Sequence, residues 1–361
     1  MNKKSKNIVY ISSIPWNYTW HRQQEMMDYL SNKGFNILFV QPVNKRKLCD
    51  TKLVKMNNHL YILHVSGLPY ERCSYLFNFI NGKIQHKIIK KITKKLKWTN
   101  YMIWFDRVHG SDLENITKNR YVIYDLIDEI TAFGRVKNTK LLLEKENYIL
   151  KKCDLLISSS DVLLKRKINQ SYRKGENLFI PNGVDCKRFC IKKNVKYSKN
   201  IVVGFIGTIS QRALNYDLII EMVRLRPNWK YIFIGPGTIE DKSILKKNNI
   251  LVKDAVDGAK IPKILEKIDI GIIPYNIKNE DMDYVFPRKA CEYLAAGLPV
   301  VSTPLREIKN MDPYVKTANT GKLFVYEIEE TLKNYNQYDS VNFVRQYDWD
   351  NLMNKVIKKI S

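Results

Sequence analysis

Residues 8–40 read IVYISSIPWNYTWHRQQEMMDYLSNKGFNILFV, and this stretch decides the fold class. The run 8–11 is apolar and β-branched, the pattern of a strand covered on both faces. Ser12-Ser13-Ile14-Pro15 breaks it. A helical pattern follows from Trp20 to Asn32 and stops at Gly34, and Asn36 to Val40 is a second strand, closed by Pro42. Strand, helix and strand in this order make a parallel crossover unit of a doubly wound sheet.

Outward from this unit the pattern repeats. Further strands are expected at 60–65, 101–105, 121–126 and 155–158, with helices at 75–97 and 139–152. Residues 185–200 are rich in lysine with little periodicity, as a connection between domains would be. The alternation then restarts. Strands are expected at 201–206, 230–234, 250–252, 269–273 and 299–302, and helices at 215–225, 261–268, 288–296 and 340–360. The expectation is an α/β protein with two doubly wound, Rossmann-like domains facing a cleft. The N-terminal domain takes 1–190, the C-terminal domain 198–338, and the helix over 340–361 has the option of returning to the first domain. In open parallel sheets ligands sit beyond the carboxyl ends of the strands, so chemistry is sought there.

Hydrophobic residues make up 45% of the chain and charged residues 27%, a folded globular balance rather than a disordered chain or a membrane bundle. No apolar run approaches the roughly 18 residues of a spanning helix. The basic start is followed by an apolar stretch, 8–14, too short and polar for a signal peptide. The expected location is the cytoplasm, with the inner face of the membrane as an option. The 6 cysteines form no C-x-x-C and no zinc-finger spacing with the 5 histidines, so free thiols and no metal are expected. Net charge is +25 and uneven: residues 1–200 carry 38 basic and 16 acidic side chains, residues 201–361 carry 23 and 20. The first half is therefore expected to meet something anionic: nucleic acid, a membrane surface or a phosphorylated acceptor. The sequence has no helix-turn-helix, RNA-binding aromatic signature or zinc finger, which argues against nucleic acid.

Residues 286–303, FPRKACEYLAAGLPVVST, carry the most chemistry. Pro287 suits the first turn of a helix. The amides of Arg288, Lys289 and Ala290 would then face outward, a ready place for a phosphate. Lys289 and Glu292 lie three apart on one helix face. A cation for a diphosphate, with a carboxylate one turn deeper for two ribose hydroxyls, is what a nucleotide sugar needs. The same pair would also serve as a plain surface salt bridge.

This segment resembles the donor-binding motif of glycosyltransferases with the GT-B fold, in the large retaining family that includes teichuronic acid biosynthesis glycosyltransferases. Ser13-Ile14-Pro15-Trp16 with Trp20-His21-Arg22-Gln23-Gln24 is similar to that subgroup. So are Tyr124-Asp125-Leu126-Ile127-Asp128-Glu129, Ser158-Ser159-Ser160, Ile180-Pro181-Asn182-Gly183-Val184-Asp185 and Gly204-Phe205-Ile206-Gly207. The resemblance runs from residue 8 to about residue 310. It implies transfer of a sugar from a UDP- or GDP-linked donor to a lipid-linked or saccharide acceptor in cell-surface polysaccharide synthesis, with retention and without a metal or other cofactor. It makes Glu292 the ribose binder, with Gly207, Thr208, Gly235, Pro236, Lys253, Pro287, Arg288 and Lys289 in the donor site. The family's first glutamate would fall at Tyr284, and its Arg directly after the strand glycine is here Thr208. Arg212 is the nearest following cation, so Arg212 and Lys289 are expected to share the diphosphate and stabilise the departing charge.

Asp128 and Glu129 follow the strand at 121–126 and are candidates to hold a donor or acceptor hydroxyl, Glu129 alternatively as a helix cap. Trp16, His21 and Arg22, after the first strand, are expected acceptor residues, His21 alternatively as a surface residue at a helix start; His109, after the strand at 101–105, is a further acceptor-site candidate, as a proton carrier. Asp281-Met282-Asp283 imitates a metal-binding D-x-D but precedes a helix, and reads as an acidic loop. In 83–97, KIQHKIIKKITKKLK, Ile84, Ile88, Ile92 and Leu96 recur every four residues, with Lys87, Lys90, Lys91, Lys94 and Lys95 around them. This is either a crossover helix with a solvated lysine face or a helix docking on anionic lipid, at about 1 kcal/mol per lysine. Two other function classes stay open: a nucleotide-sugar epimerase of the same fold, and a non-catalytic anion-binding homologue.

Overall fold

The computed structural model describes residues 4–18, 20–43, 51–68, 74–108, 112–130, 139–191, 200–248 and 250–361. The chain divides into two compact units: Met1–Pro181 together with Met353–Ser361, and Asn182–Leu352.

The first unit follows the order β1 (Asn7–Ile11), α1 (Arg22–Asn32), β2 (Asn36–Val40), β3 (Lys52–Lys55), β4 (Leu60–His64), α2 (Tyr75–Lys95), β5 (Met102–Phe105), α3 (Leu113–Ile116), β6 (Val122–Leu126), α4 (Thr139–Lys152), β7 (Leu155–Ser158), α5 (Asp161–Ser171) and β8 (Glu176–Phe179). They form one eight-stranded sheet, ordered β3-β4-β2-β1-β5-β6-β7-β8. All pairs are parallel except β3 with β4. Every residue of β5, β6 and β7 is buried, as helices on both faces require. Strand order reverses at β1, which lies between β2 and β5. The crevice at the carboxyl ends of β1 and β5 is therefore this unit's topological switch point.

Helix α2 differs from its sequence pattern. The buried stripe is Asn78, Asn81, Gln85, Ile89 and Thr93. The Asn81 carboxamide pairs with both the amide and the carbonyl of Leu68, at 2.7 and 2.8 Å, which pulls this polar face inward. Ile84, Ile88, Ile92 and Leu96 consequently lie half-buried at its edge. Lys87, Lys90, Lys91, Lys94 and Lys95 are exposed, and so are Leu76 and Phe79 near the helix start.

The second unit contains α6 (Cys186–Phe189), β9 (Val202–Ile206), α7 (Tyr216–Leu225), β10 (Lys230–Ile234), α8 (Ile239–Lys247), β11 (Leu251–Lys253), α9 (Ile261–Leu265), β12 (Ile270–Ile273), α10 (Arg288–Ala295), β13 (Val300–Ser302), β14 (Val315–Thr317), α11 (Gly321–Asn334), α12 (Gln337–Val344) and the start of α13 (Trp349–Ile360). Its sheet is parallel throughout, ordered β11-β10-β9-β12-β13-β14, with the switch point between β9 and β12. Phe205, Phe233, Ile219, Met222 and Phe324 centre its core. The single helix expected over 340–360 is two helices joined by a 3-10 turn, Arg345–Tyr347. Asp348 breaks it: its backbone is extended, and its carboxylate accepts the Cys186 N–H at 3.0 Å. The expected connection at 185–200 opens on a helical turn, α6, capped by the Asp185 carboxylate on the Arg188 N–H at 2.9 Å.

Candidate functional site

The second unit's switch point is built around Tyr293. Its hydroxyl accepts the N–H of Ile206, the last residue of β9, at 2.8 Å. Its ring lies against Gly271 of β12, where a Cβ would come within 2.3 Å of a ring carbon. One side chain thus fixes α10 against both strands of the crevice. Sequence reading passed over Tyr293; the available signal was a glycine inside a buried strand, which marks close approach.

Two backbone loops meet beside it. Gly207 N–H donates to Ile234 O at 2.9 Å, Ile209 N–H to Pro236 O at 2.8 Å, and Gly235 N–H to Lys253 O at 3.1 Å. A Cβ on Gly235 would sit 1.8 Å from Gly207 O, so only glycine permits this approach. A Cβ on Gly207 would lie 3.3 Å from Lys289 Cε, which places the lysine stem over the end of β9. Gly207, Gly235, Lys253 and Lys289 are therefore contiguous, and Thr208 and Pro236 are exposed on the same loops.

Glu292 is buried one turn into α10. Its Oε1 lies 2.8 Å from Arg288 Nε and its Oε2 accepts from Lys289 Nζ at 3.3 Å. Burial pushes its carboxyl up, but Lys289 and Arg288 outweigh burial and hold it below the usual carboxylate range. Glu292 is therefore an anion in a dry place, with a cation on each oxygen. Nearby, burial and the Glu292 charge push the half-buried Tyr275 hydroxyl up to about 12.

The helix start departs from expectation. Arg288 N–H donates to Phe286 O at 3.0 Å and Ala290 N–H to Pro287 O at 2.9 Å, so these two amides have partners. The chain enters α10 through a tight turn that uses them internally, and the positive charge rests on the Lys289 and Arg288 side chains. Arg212 lies on the loop after β9, with Nη2 2.9 Å from Asp281 Oδ2. That loop is tied to the end of β12 by Asn215 N–H to Pro274 O and Asn276 N–H to Ala213 O. The second aspartate of the D-x-D stretch, Asp283, pairs with Arg306 at 3.0 Å.

In the first unit the expected acceptor residues separate. Arg22 is buried: it holds both Asp125 oxygens and donates to the carbonyls of Ile180, at 2.6 Å, and Pro181, at 3.0 Å. It ties α1 to β6 and to the end of the unit, a positioning role. Trp16 is also buried, its ring edge-on to Trp20 and Phe39 and its backbone N–H donating to Gln41 Oε1 at 2.8 Å. His21 is exposed, stacked on Tyr18, and precedes α1 with its N–H on Gln24 Oε1. Among the described residues, which leave out 131–138, Glu129 caps no helix. It is buried in a network where Lys167 Nζ lies 2.7 Å from both Glu129 and Glu146, and the Tyr124 hydroxyl donates to Glu146. Asp128 is exposed after β6. His109 lies outside the described residues.

A carboxylate that sequence reading did not select stands at this unit's switch point. Asp106 follows β5, and its Oδ2 accepts from Ser13 Oγ, just beyond β1, at 2.9 Å. Gln23 donates to the same serine at 3.4 Å. Among the described residues no group of three His, Cys, Asp or Glu side chains could hold a metal ion. No described helix is long and apolar enough to cross a membrane.

Residues 200–334 match the family Glycosyl transferases group 1. A protein of Bacillus subtilis (strain 168), provisionally named teichuronic acid biosynthesis glycosyltransferase TuaH, is 30% identical over 269 residues, 66% of this chain and 66% of that protein. The fold is shared with sucrose-phosphate synthase from Thermosynechococcus elongatus, with TM-score 0.73, 12% identity and coverage of 98% of this chain and 97% of that one. It is also shared with Anabaena HepE, solved in complex with UDP, with TM-score 0.69, 14% identity and 99% coverage of each chain. The order of the sheets, the glycine-lined switch point and these likenesses agree: the chain belongs to the group 1 glycosyltransferases of the GT-B fold.

Proposed function

We propose that the protein transfers a glycosyl group from a nucleoside-diphosphate sugar to a lipid-linked or saccharide acceptor in cell-surface polysaccharide synthesis, with retention and without a metal. The observation that carries this reading is Glu292, buried yet ionised beside Lys289 at the β9–β12 crevice. A buried carboxylate with two cations costs desolvation, and pairing alone is a weak reason to keep one. Ribose hydroxyls donating to Glu292 and a diphosphate accepting from Lys289 would use both halves of the pair at once. As the glycosyl bond breaks, negative charge grows on the leaving phosphate. Lys289 and Arg288, with Arg212 on the loop after β9, would supply fixed positive charge where that growth occurs. UDP in the HepE structure supports a uridine donor.

The exposed lysines of α2, beside its half-buried isoleucine edge and exposed Leu76 and Phe79, support docking on an anionic lipid surface at the cytoplasmic face. The donor reading is tested by thermal shift with UDP, GDP, ADP and CMP on wild type and Glu292→Ala. A ligand at about a hundred times its Kd adds about 2.7 kcal/mol. One diphosphate should stabilise the wild type, and losing hydrogen bonds to a charged group should weaken it about ten- to a hundredfold in Glu292→Ala. No stabilisation by any nucleotide would move the protein to the anion-binding class.

A further inference from the structure

We propose that Ser13 and Asp106, in the first unit, form the acceptor's hydroxyl-binding pair: a sugar hydroxyl donates to the Asp106 carboxylate, with the Ser13 hydroxyl as its second partner. The proposal rests on the transfer reading, which is what supplies an acceptor. Four observations lead to it. The pair sits at the carboxyl ends of β1 and β5, on either side of the switch point where open α/β sheets take ligands. Ser13 and Asp106 are each partly exposed as residues, while the Asp106 Oδ1 atom itself is buried. Two other groups after β1 are committed to the frame: the Arg22 guanidinium to Asp125 and two carbonyls, and the Trp16 backbone N–H to Gln41. Asp106 Oδ1 and the Tyr10 hydroxyl are both buried and interact with each other, neither having another hydrogen-bond partner among the described residues, so an incoming hydroxyl would take the place of Tyr10.

A carboxylate accepting a hydroxyl proton makes one of the stronger hydrogen bonds available to a neutral sugar. Two partners at fixed separation also read the direction of the hydroxyl, which a lone serine cannot. Hydrogen bonds from Gln23 and Ser13 lower the Asp106 carboxyl; of the charges, Asp125 on β6 raises it and Arg107 on its own strand end lowers it, and the Tyr10 hydroxyl on β1 also faces it. Burial dominates and pushes the carboxyl up to about 6. The group is therefore ionised above that pH and protonated below it. Affinity for a donating hydroxyl should fall as pH drops through about 6.

The experiment is an NMR titration of the full chain with methyl α-D-glucoside, N-acetyl-D-glucosamine and N-acetyl-D-mannosamine, with and without UDP. Signals of Ser13, Asp106 and Arg288–Ala290 are followed in wild type, Asp106→Asn and Ser13→Ala. Asp106→Asn is isosteric, and its melting point is checked first; Ser13→Ala provides the second variant. The expected result is that at least one sugar moves the Ser13 and Asp106 signals. Its affinity should drop about tenfold in Asp106→Asn and lose its dependence on pH near 6. The proposal is overturned if no sugar moves those signals, or if the variants bind as the wild type does. Failure of the donor reading would appear elsewhere, as Arg288–Ala290 signals that UDP leaves unmoved.

Discussion

Replacing Lys167 by methionine decides whether Glu129 belongs to the frame or to the chemistry. Lys167 Nζ is 2.7 Å from Glu129 and 2.7 Å from Glu146, and all three side chains are buried. Methionine keeps the stem and removes the charge, leaving two carboxylates with Arg166, at 3.6 Å from Glu129, as the remaining ion-pair partner seen here. Breaking a buried pair from one side costs about 3–5 kcal/mol. For a unit of this size that lowers the first unit's melting point by roughly 6–20 °C. The loss should depend on pH. Burial already raises the Glu146 carboxyl, and Lys167 is the main group pulling it down, so its removal lets that carboxyl rise further. An acid whose native pKa exceeds its unfolded value stabilises the fold at low pH and loses that contribution as pH climbs through the native pKa. The deficit of Lys167→Met should therefore be largest near about pH 8 and shrink toward about pH 5, as the Glu146 carboxyl takes up a proton. Urea unfolding followed across that range measures it, and UDP binding should survive where the variant is folded. A loss below about 1 kcal/mol, or one equal at both ends of the range, would refute the network as a structural element.

Other expectations concern the site and the surface. Tyr293→Phe removes the acceptor of a buried N–H at Ile206 and should cost about 1–3 kcal/mol in urea unfolding of the second unit, a larger effect than a lone hydroxyl normally has. Gly235→Ala places a methyl 1.8 Å from Gly207 O, against backbone that cannot swing away; stability should fall by about 1–3 kcal/mol or more, with loss of UDP stabilisation in thermal shift. Changing Lys87, Lys90, Lys91, Lys94 and Lys95 together to glutamine should weaken sedimentation with anionic vesicles at least a hundredfold, at about 1 kcal/mol for each lysine near the surface. Wild-type binding should itself decline with added salt, and salt-independent binding would exclude the electrostatic account.

The parallel strands were legible because burial on both faces leaves uninterrupted apolar runs; 155–158 and 230–234 match β7 and β10 residue for residue. The strands that escaped notice are edges. Lys52–Lys55, Glu176–Phe179 and Val315–Thr317 are short and each carries a charged side chain, since an edge needs less burial. In the site, Glu292 and Lys289 were readable because helical spacing is local. Arg22 with Asp125 was not: those partners are 103 residues apart, and sequence gives no sign that a guanidinium will be enclosed by them. Asp106 stayed hidden for the same reason, its role coming from Ser13 on a distant strand end. In α2 the regular isoleucines pointed to the core, while the carboxamide pairing of Asn81 turned the helix by a fraction of a turn.

The interlocked loops of Gly207 and Gly235 have a consequence for how such a site can diversify. Where main chain rests on main chain, no exchange of side chains can reshape the floor; a variant with a Cβ at Gly235 loses the fit outright. The rim is different. Thr208, Pro236 and Lys253 are exposed, and the segment Glu280–Tyr284 is held by side-chain ion pairs through Asp281 and Asp283. Substitutions there trade one weak surface contact for another at little cost. A lineage could therefore drift from one donor to another by editing the rim while the floor stays frozen, and a selection for altered donor choice should return its mutations from those outer positions.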